Sequence, residues 1–593
     1  MVKQGNWRRR RSSIAFLSVI ILTLTMLAAC SSNNGSNNGG NEGNVGANTP
    51  VAGEGNANAE DAKLSDGFTK GKFEPAVEIS TIQCNNNLPY RDGESIQDNV
   101  HTRWTKEQLG INITYDWTTS GDQCANKIRL ALAGNQKLPD VMVIGDKQLL
   151  GELIEAGKII DISEAFDTYA SDQVKAIYGQ DPNYWYGVSK DGAKYGIPTL
   201  NESMNNDAIL YIRQDWLDKI GMKAPTTFDE LEKVMEAMLQ ADFNGDGKKD
   251  APLALGLKND VNPFATYMTD ASWIFGGYGA IPGYWNTWND DNTLEYGSIQ
   301  PEVKEALGKM QEWFKKGYIS SDIGLLDERK GSEQFTSEKS GIIAGPIWMY
   351  GWPIQASLLK NNPEANVMPA PVPAGPSGKA GRHGTTIPGS AIVFSKDFKH
   401  MDAFMLYFNK LYEYNNPAAG SPYENGWFEG YDYVIKDGKV SRARADFPDE
   451  TPIDVSKYFI MEGVKLVDPY LSLEIRRKLY NGEQPSTPQE LQWFNSATEE
   501  EKANPKANKA WQAVDVVLQQ KESSKLDLFM GAPTKTMITK GEALRTLEHE
   551  TFISIIYGKA PVSDFDKFVE QWKKSGGDAM TAEVNEWYKS VKN

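Results

Sequence analysis

Apolar and polar positions along this chain fall into three regimes. Residues 14–27 are almost entirely apolar and follow four consecutive arginines at positions 8–11. Residues 31–60 are mostly Ser, Asn and Gly, a composition that cannot bury a core and reads as a flexible tether. From about Ala76 onward, short apolar or β-branched runs alternate with stretches of helical spacing. Residues 77–82 read as a strand, followed by a helical stretch through Trp104 and Leu109 and a second strand at 111–115. A helix over 124–133 carries Ile128, Leu130 and Leu132 and is closed by Gly134. Residues 140–145 are nearly all apolar, as a buried parallel strand requires. A Gly/Pro break at 195–198 leads into another strand at 209–213, and Thr227 with Glu230 is spaced as a capping box. That box opens a helix whose apolar face is Phe228, Leu231, Met235, Met238 and Leu239. Further helices are predicted over 303–314, 402–412, 510–518 and 564–573, and the Pro- and Gly-rich stretch 369–378 reads as a crossing strand. Strands alternating with helices imply an α/β chain of βαβ units, with parallel sheets and helices on both faces. A second such unit begins near residue 200.

The 593 residues are too many for one core, so two or more domains are expected. The N-terminal apolar run is too short to span a bilayer, which takes about 20 residues. Its basic start and small residues before a cut site have the layout of a secretory signal over 1–29. Leu27, Ala28, Ala29 and Cys30 resemble the lipobox of bacterial lipoproteins, in which the cysteine receives diacylglycerol and becomes the new N-terminus. The expectation is a protein lipid-anchored at Cys30 on the extracellular face of the cell membrane. A tether over 30–74 then lifts it clear of the headgroups, about 40 residues spanning roughly 35 Å. Removing 1–29 takes away five basic residues and no acidic one, lowering a formal charge that already stands at −17. Such a surface repels phosphate backbones and anionic lipid, so no nucleic-acid partner is expected, and the membrane link is the lipid alone.

Chemistry-bearing motifs are few. Asp242, Asn244, Asp246 and Asp250 place side-chain oxygens at the first, third, fifth and ninth positions of a calcium loop, with Gly247 at the sixth. Lys248 holds the seventh position, where the backbone carbonyl is the ligand. Leu253 stands where a bidentate Glu is usual, so further ligands must come from water or elsewhere. With no second loop in the sequence, a structural Ca²⁺ is expected rather than a sensor. Aromatic residues crowd 273–288 and alternate at Trp348, Tyr350 and Trp352; such rings stack on sugar faces or fill cores. The four histidines lie far apart, and the serine-hydrolase, phosphate-loop, dinucleotide and zinc-protease motifs are missing. A pair of acids for glycoside hydrolysis leaves no sequence spacing to search for. Cys84 ends the first strand and Cys124 opens the helix after the second. A disulfide between them and two free buried thiols are both compatible with those positions.

Several segments together resemble one family: residues 140–145, 195–198, 212–217, 225–231, 345–348 and the run from Glu548 to Trp572. They are similar to the extracellular solute-binding lipoproteins of Gram-positive ABC importers, in the branch of alginate- and oligosaccharide-binding proteins. The resemblance implies a periplasmic-binding-protein-like type II fold, two α/β lobes with a hinge and a ligand cleft between them. The lobes are then expected at 75–196 plus 374–432 and at 200–370 plus 435–593. The family carries a calcium loop after the same helix; relatives often add an acid where this chain has Ala251, which implies a weaker or more hydrated site. The implied function is non-enzymatic: a monomer captures a carbohydrate by lobe closure and delivers it to ABC permease subunits. A surface-tethered glycoside hydrolase or lyase and a ligand-sensing lipoprotein are the alternatives. Since open α/β sheets bind ligands at strand carboxyl ends, Asn85, Asn87, Asp146, Asn201 and Glu202 are the expected polar contacts. Trp273, Trp348, Trp352 and Trp427 are the expected aromatic ones.

Overall fold

The alternation at 77–82 and 111–115 produces a parallel pair, Val77–Gln83 against Ile111–Thr118, which buries Ile79, Ile111 and Ile113. These strands belong to a computed structural model that describes residues 64–592 apart from 92, 260, 289–291 and 465. The expected signal peptide, Cys30 and the tether as far as residue 63 lie outside the described residues. Side chains join the parallel pair to Val141–Ile144: Ser80 Oγ donates to Asp140 at 3.0 Å, and Thr81 Oγ1 donates to the Val141 carbonyl at 2.9 Å. Val141–Ile144 pairs antiparallel with Pro388–Phe394, whose other edge holds Ile197–Leu200, again antiparallel. The expected parallel arrangement is therefore mixed. Parallel neighbours need a crossover connection, and Pro388–Phe394 arrives instead from the far half of the chain. The helix Met401–Asn415 covers this sheet with Phe404, Phe408 and Leu411.

A second sheet runs in the order Val367–Ala370, Ile209–Arg213, Ile342–Gly345, Leu253–Ala254. Its first three strands are antiparallel neighbours and its last two are parallel. All five residues of Ile209–Arg213 are buried, which explains an apolar run without alternation. Phe228–Gln240 and Pro301–Lys316 share the core beneath it, through Leu231, Met235, Leu307 and Trp313. Thr227 Oγ1 accepts from the Glu230 amide at 3.3 Å, while Glu230 reaches back to the Thr226 amide at 2.8 Å. Lys535–Ile556, Asp564–Trp572 and Asp578–Lys592 complete the same core with Phe552, Phe568 and Val584.

Packing moves three expected boundaries. Residues 64–74, read as tether, include the helix Asp66–Lys70, capped by Ser65, and Phe73 enters the first core. The crossing expected at 370–374 comes later. Ala374 exchanges backbone hydrogen bonds with Thr226 and Phe228, and a Cβ on Gly375 would stand 2.0 Å from the Gly277 carbonyl oxygen, so the two backbones meet where only glycine fits. The chain leaves the second core after Thr385, whose amide donates to Asp207 at 2.7 Å, and joins the first at Ile387. Phe459, Ile460, Met461 and Leu466, expected in the second lobe, belong to the first core, where the Ile460 amide donates to Tyr407 Oη at 3.2 Å.

Candidate functional site

Where the crossing strands meet the second sheet, a cavity of about 730 Å³ is lined by Asn201, Glu202, Asn206, Asn262, His383 and Thr385 among others. A neighbouring cavity of about 840 Å³ shares Asn259, Val261, Asn262 and Tyr284 with it and continues past Trp285, Tyr296 and Phe529 to Glu548. Gln148, from the helix Lys147–Glu155, lines that second cavity too. A third, of about 390 Å³, lies at the carboxyl ends of Val77–Gln83 and Val141–Ile144, between Gln83, Cys84, Asp146, Ser390 and Glu462. A further depression, about 970 Å³ beside Asp250 and Lys330, has no aromatic ring in its wall and offers nothing for a sugar face to stack on.

The structure brings some expected residues together and disperses others. Asn201 and Glu202 line the first cavity, where Asn201 Nδ2 donates to the Thr386 carbonyl at 3.4 Å and Glu202 pairs with Arg476 at 2.9 Å. Trp348 touches the same wall, its indole N–H donating to Asn206 Oδ1 at 3.2 Å. Trp352 stacks on Trp348 with ring centroids 6.4 Å apart and is 47% exposed. Asp146 lines the third cavity as a helix cap: it accepts the amides of Gln148 and Leu149 at 2.9 and 3.0 Å and pairs with Arg129 at 2.9 Å. Asn85 donates to Glu462 at 2.6 Å beside that cavity, and exposed Asn87 donates its amide to Asn85. Cys84 and Cys124 form a disulfide in the same wall, with Cα atoms 5.6 Å apart.

One expected aromatic contact is a core residue, and a second is half-buried against a core. Trp273 has no exposure, meets Phe228 edge-on and donates its indole N–H to the Asp270 carbonyl at 3.0 Å. Trp427 packs among Trp104, Tyr414, Tyr423 and Phe459. Crowding of rings along the sequence did not separate these from Trp352, because it carries no information on which side of the backbone faces solvent.

Lining residues that carried no sequence signal come from 205–206, 259–267, 383–386 and 527–546. Tyr284 Oη lies 3.3 Å from His383 Nδ1, and His383 Nε2 lies 3.4 Å from the buried carboxylate of Asp270. Ser272 Oγ donates to Asp270 at 2.7 Å and accepts the His383 amide at 2.9 Å, holding the crossing strand against the second core. Asp527 is pushed up to about 6 by the protein around it, against the pull of the Trp285 and Phe529 amides and of Lys147. Burial raises Glu548 to about 7 although Tyr296 Oη and Ser298 Oγ donate to it at 2.9 and 2.8 Å.

Ionising Glu548 in place costs about 3 kcal/mol. The folded protein holds this proton more tightly than the unfolded chain, so its contribution is fullest below about pH 4.5 and is lost as pH rises through about 7. Glu548→Gln is expected to flatten that part of the stability profile and to exceed the parent at pH 8 by about 2 kcal/mol. Urea unfolding of both proteins at pH 5 and pH 8 checks this; an unchanged difference between the two pH values contradicts it.

In the loop 242–250, Asp242 Oδ1 and Asn244 Oδ1 both accept the Asp246 amide, at 3.1 and 3.2 Å, and Asp242 Oδ2 accepts the Gly247 amide at 2.8 Å. Asp246 Oδ1 accepts the Lys248 amide at 2.9 Å, and Asn244 Nδ2 donates to Asp250 at 2.6 Å. Gly245 and Gly247 supply the left-handed turns, with φ of 71° and 78°. Among the described residues, no three His, Cys, Asp or Glu side chains are grouped as a metal cluster. The loop's donors are all hard oxygens, the chemistry Ca²⁺ takes, and they turn inward on the loop's own amides.

Comparison with known proteins agrees with this architecture. Lipoprotein LipO of Bacillus subtilis (strain 168) is 25% identical over 506 residues, 82% of this chain and 88% of its own. The polygalacturonan/rhamnogalacturonan-binding protein YtcQ of the same organism is 24% identical over 424 residues, 68% of this chain and 72% of its own. A solved structure of the Streptococcus pneumoniae ABC-transporter substrate-binding protein FusA, an EF-hand mutant in complex with fructo-nystose, superposes with a TM-score of 0.51 at 17% identity. It covers 87% of this chain and 99% of that one. The fold is that of periplasmic-binding-protein-like solute-binding proteins, with two α/β lobes. The sequence pattern of one family, described as bacterial extracellular solute-binding protein, matches residues 89–413. With more than half its length inside that match, this chain belongs to the bacterial extracellular solute-binding protein family.

Proposed function

We propose that this protein captures an oligosaccharide between its two lobes and delivers it to an ABC permease, held at the outer face of the cell membrane by a lipid on Cys30. The observation that carries the reading is the pair of adjoining cavities. Half-exposed Tyr267 and partly exposed Tyr284 offer ring surface there, and Asn201, Asn205, Asn206 and Asn259 offer amides that donate and accept. In this reading one lobe comprises 64–200 with 387–470 and the other 203–384 with 471–592, a division that the separate cores around Phe404 and around Trp273 support. A ligand touching both lobes favours the closed form over the open one, and no bond needs to be made or broken. Carbohydrate binding in the YtcQ and FusA relatives supports the reading.

A thermal-shift screen against oligosaccharides tests it. A ligand at 100 times its Kd is expected to add about 3 kcal/mol of stability and to be recovered unchanged. Asp527 and Glu548, two raised carboxyls in one aromatic-walled cavity, would also suit acid catalysis on a glycoside. Steady release of shorter sugars would therefore replace the binding reading with the hydrolase one.

The side chains of Asp242, Asn244, Asp246 and Asp250 with the carbonyl of Lys248 would hold a structural Ca²⁺ that pins the loop after Phe228–Gln240. The FusA structure carrying an EF-hand mutation supports this. Chelator is expected to lower the wild-type stability by about 2 kcal/mol and to leave Asp246→Ala unaffected. An equal drop in both proteins, or none in either, counts against the site.

A further inference from the structure

The adjoining cavities carry a charge pattern that bears on which sugars can enter. Glu202 and Glu328 line the smaller one; Asp527, Glu542, Glu548 and Glu550 line the larger. Among the described lining residues there is no lysine, and the arginine is Arg545, which pairs with Glu542. Arg476, just outside, is committed to Glu202 at 2.9 Å, and Lys147 faces Asp527. Glu328 Oε2 takes the amides of Tyr267 and Met268 at 3.1 and 3.2 Å, neither of which is a cation. With Glu202 and Glu542 neutralised in those pairs, a ligand carboxylate would still meet Glu328, Asp527 and Glu550 and, among the described lining residues, no unpaired lysine or arginine. Arg329, 5.9 Å from the Trp352 ring, lies in neither lining.

Uncharged hydroxyls meet a different surface. Asparagines 201, 205, 206 and 259 line these cavities with amides that can both donate and accept, while Asn262 spends both ends of its amide on the Pro282 carbonyl and the Phe264 and Ala265 amides.

We infer that the cleft selects against carboxylated saccharides and takes uncharged or amine-bearing ones. Resting on the carbohydrate reading above, this separates the chain from its polygalacturonan/rhamnogalacturonan-binding relative, with which it shares 24% identity. Like charges brought together at a partly dry interface oppose binding strongly, and salt weakens that effect where the acids are exposed, as at Glu550.

The test is titration of the full chain with saccharides that differ only in charge. Galacturonic acid oligomers and their methyl esters form one matched set, and neutral oligosaccharides with their uronic-acid-capped counterparts form a second. In any set that binds, the carboxylated form is expected to bind at least about 100-fold more weakly, and the gap is expected to narrow as salt is raised. Glu550→Gln, which removes the exposed charge, is expected to shrink the gap about threefold while the neutral form still binds. A carboxylated sugar that binds as tightly as its neutral partner overturns the inference and leaves the carbohydrate reading standing. A panel in which no saccharide binds overturns both.

Discussion

Trp273→Ala is expected to lower the unfolding free energy by about 4 kcal/mol, the range for truncating a fully buried indole. Trp273 has no solvent exposure and sits between Phe228 and Trp313, with ring centroids 5.8 and 6.3 Å away. Removing it empties a space bounded by rigid rings and leaves the Asp270 carbonyl without the indole hydrogen bond at 3.0 Å. That cavity cannot collapse easily, since Phe228 and Trp313 belong to helices fixed by the rest of the second core. Trp352→Ala, at a ring 47% exposed, is expected to cost under about 1 kcal/mol. Denaturant unfolding of the two variants side by side decides the matter. A Trp273→Ala protein as stable as Trp352→Ala would mean that Trp273 is not the core residue its burial makes it.

Breaking the Cys84–Cys124 link is expected to cost about as much. The two positions are 40 residues apart in sequence, and closing a loop of that length restricts the unfolded chain by roughly 4 kcal/mol. The bond also ties the end of Val77–Gln83 to Gly121–Ala133, across the small cavity where Gln83 and Asn85 donate to Glu462. Reductant should therefore destabilise the wild-type protein by about 4 kcal/mol and leave Cys84→Ser/Cys124→Ser untouched, the variant matching the reduced wild type. Identical unfolding midpoints with and without reductant would show that the thiols are free in solution.

The elements were legible where their cause is local. The strand expected at 209–213 is Ile209–Arg213, and the helices expected over 303–314 and 510–518 fall inside Pro301–Lys316 and Lys509–Gln519. Apolar spacing, caps and Gly or Pro stops act over a few residues, so they can be read from the chain. Strand direction could not be read that way. The run at 141–144 looks equally apolar whether its neighbour is parallel or antiparallel, and the neighbour, Pro388–Phe394, lies more than 240 residues away. Boundaries failed for the same reason at 64–74, 374–382 and 459–466, where long-range contacts with Tyr169, Gly277 and Tyr407 assign the segment.

The site divides along that line. Leu27 to Cys30, the oxygen spacing from Asp242 to Asp250 and the α/β alternation are one-dimensional patterns, complete in the order of residues. Asn201 and Glu202 were within reach because they follow directly on a strand, Ile197–Leu200. Only folding could bring Tyr284 to His383, set Glu548 under Tyr296 and Ser298, join Cys84 to Cys124, and turn Trp273 inward while Trp352 stays at the surface. A ring or carboxyl acquires its role from the groups that surround it. In this chain those groups arrive from segments tens to hundreds of residues apart, and no local spacing records their meeting.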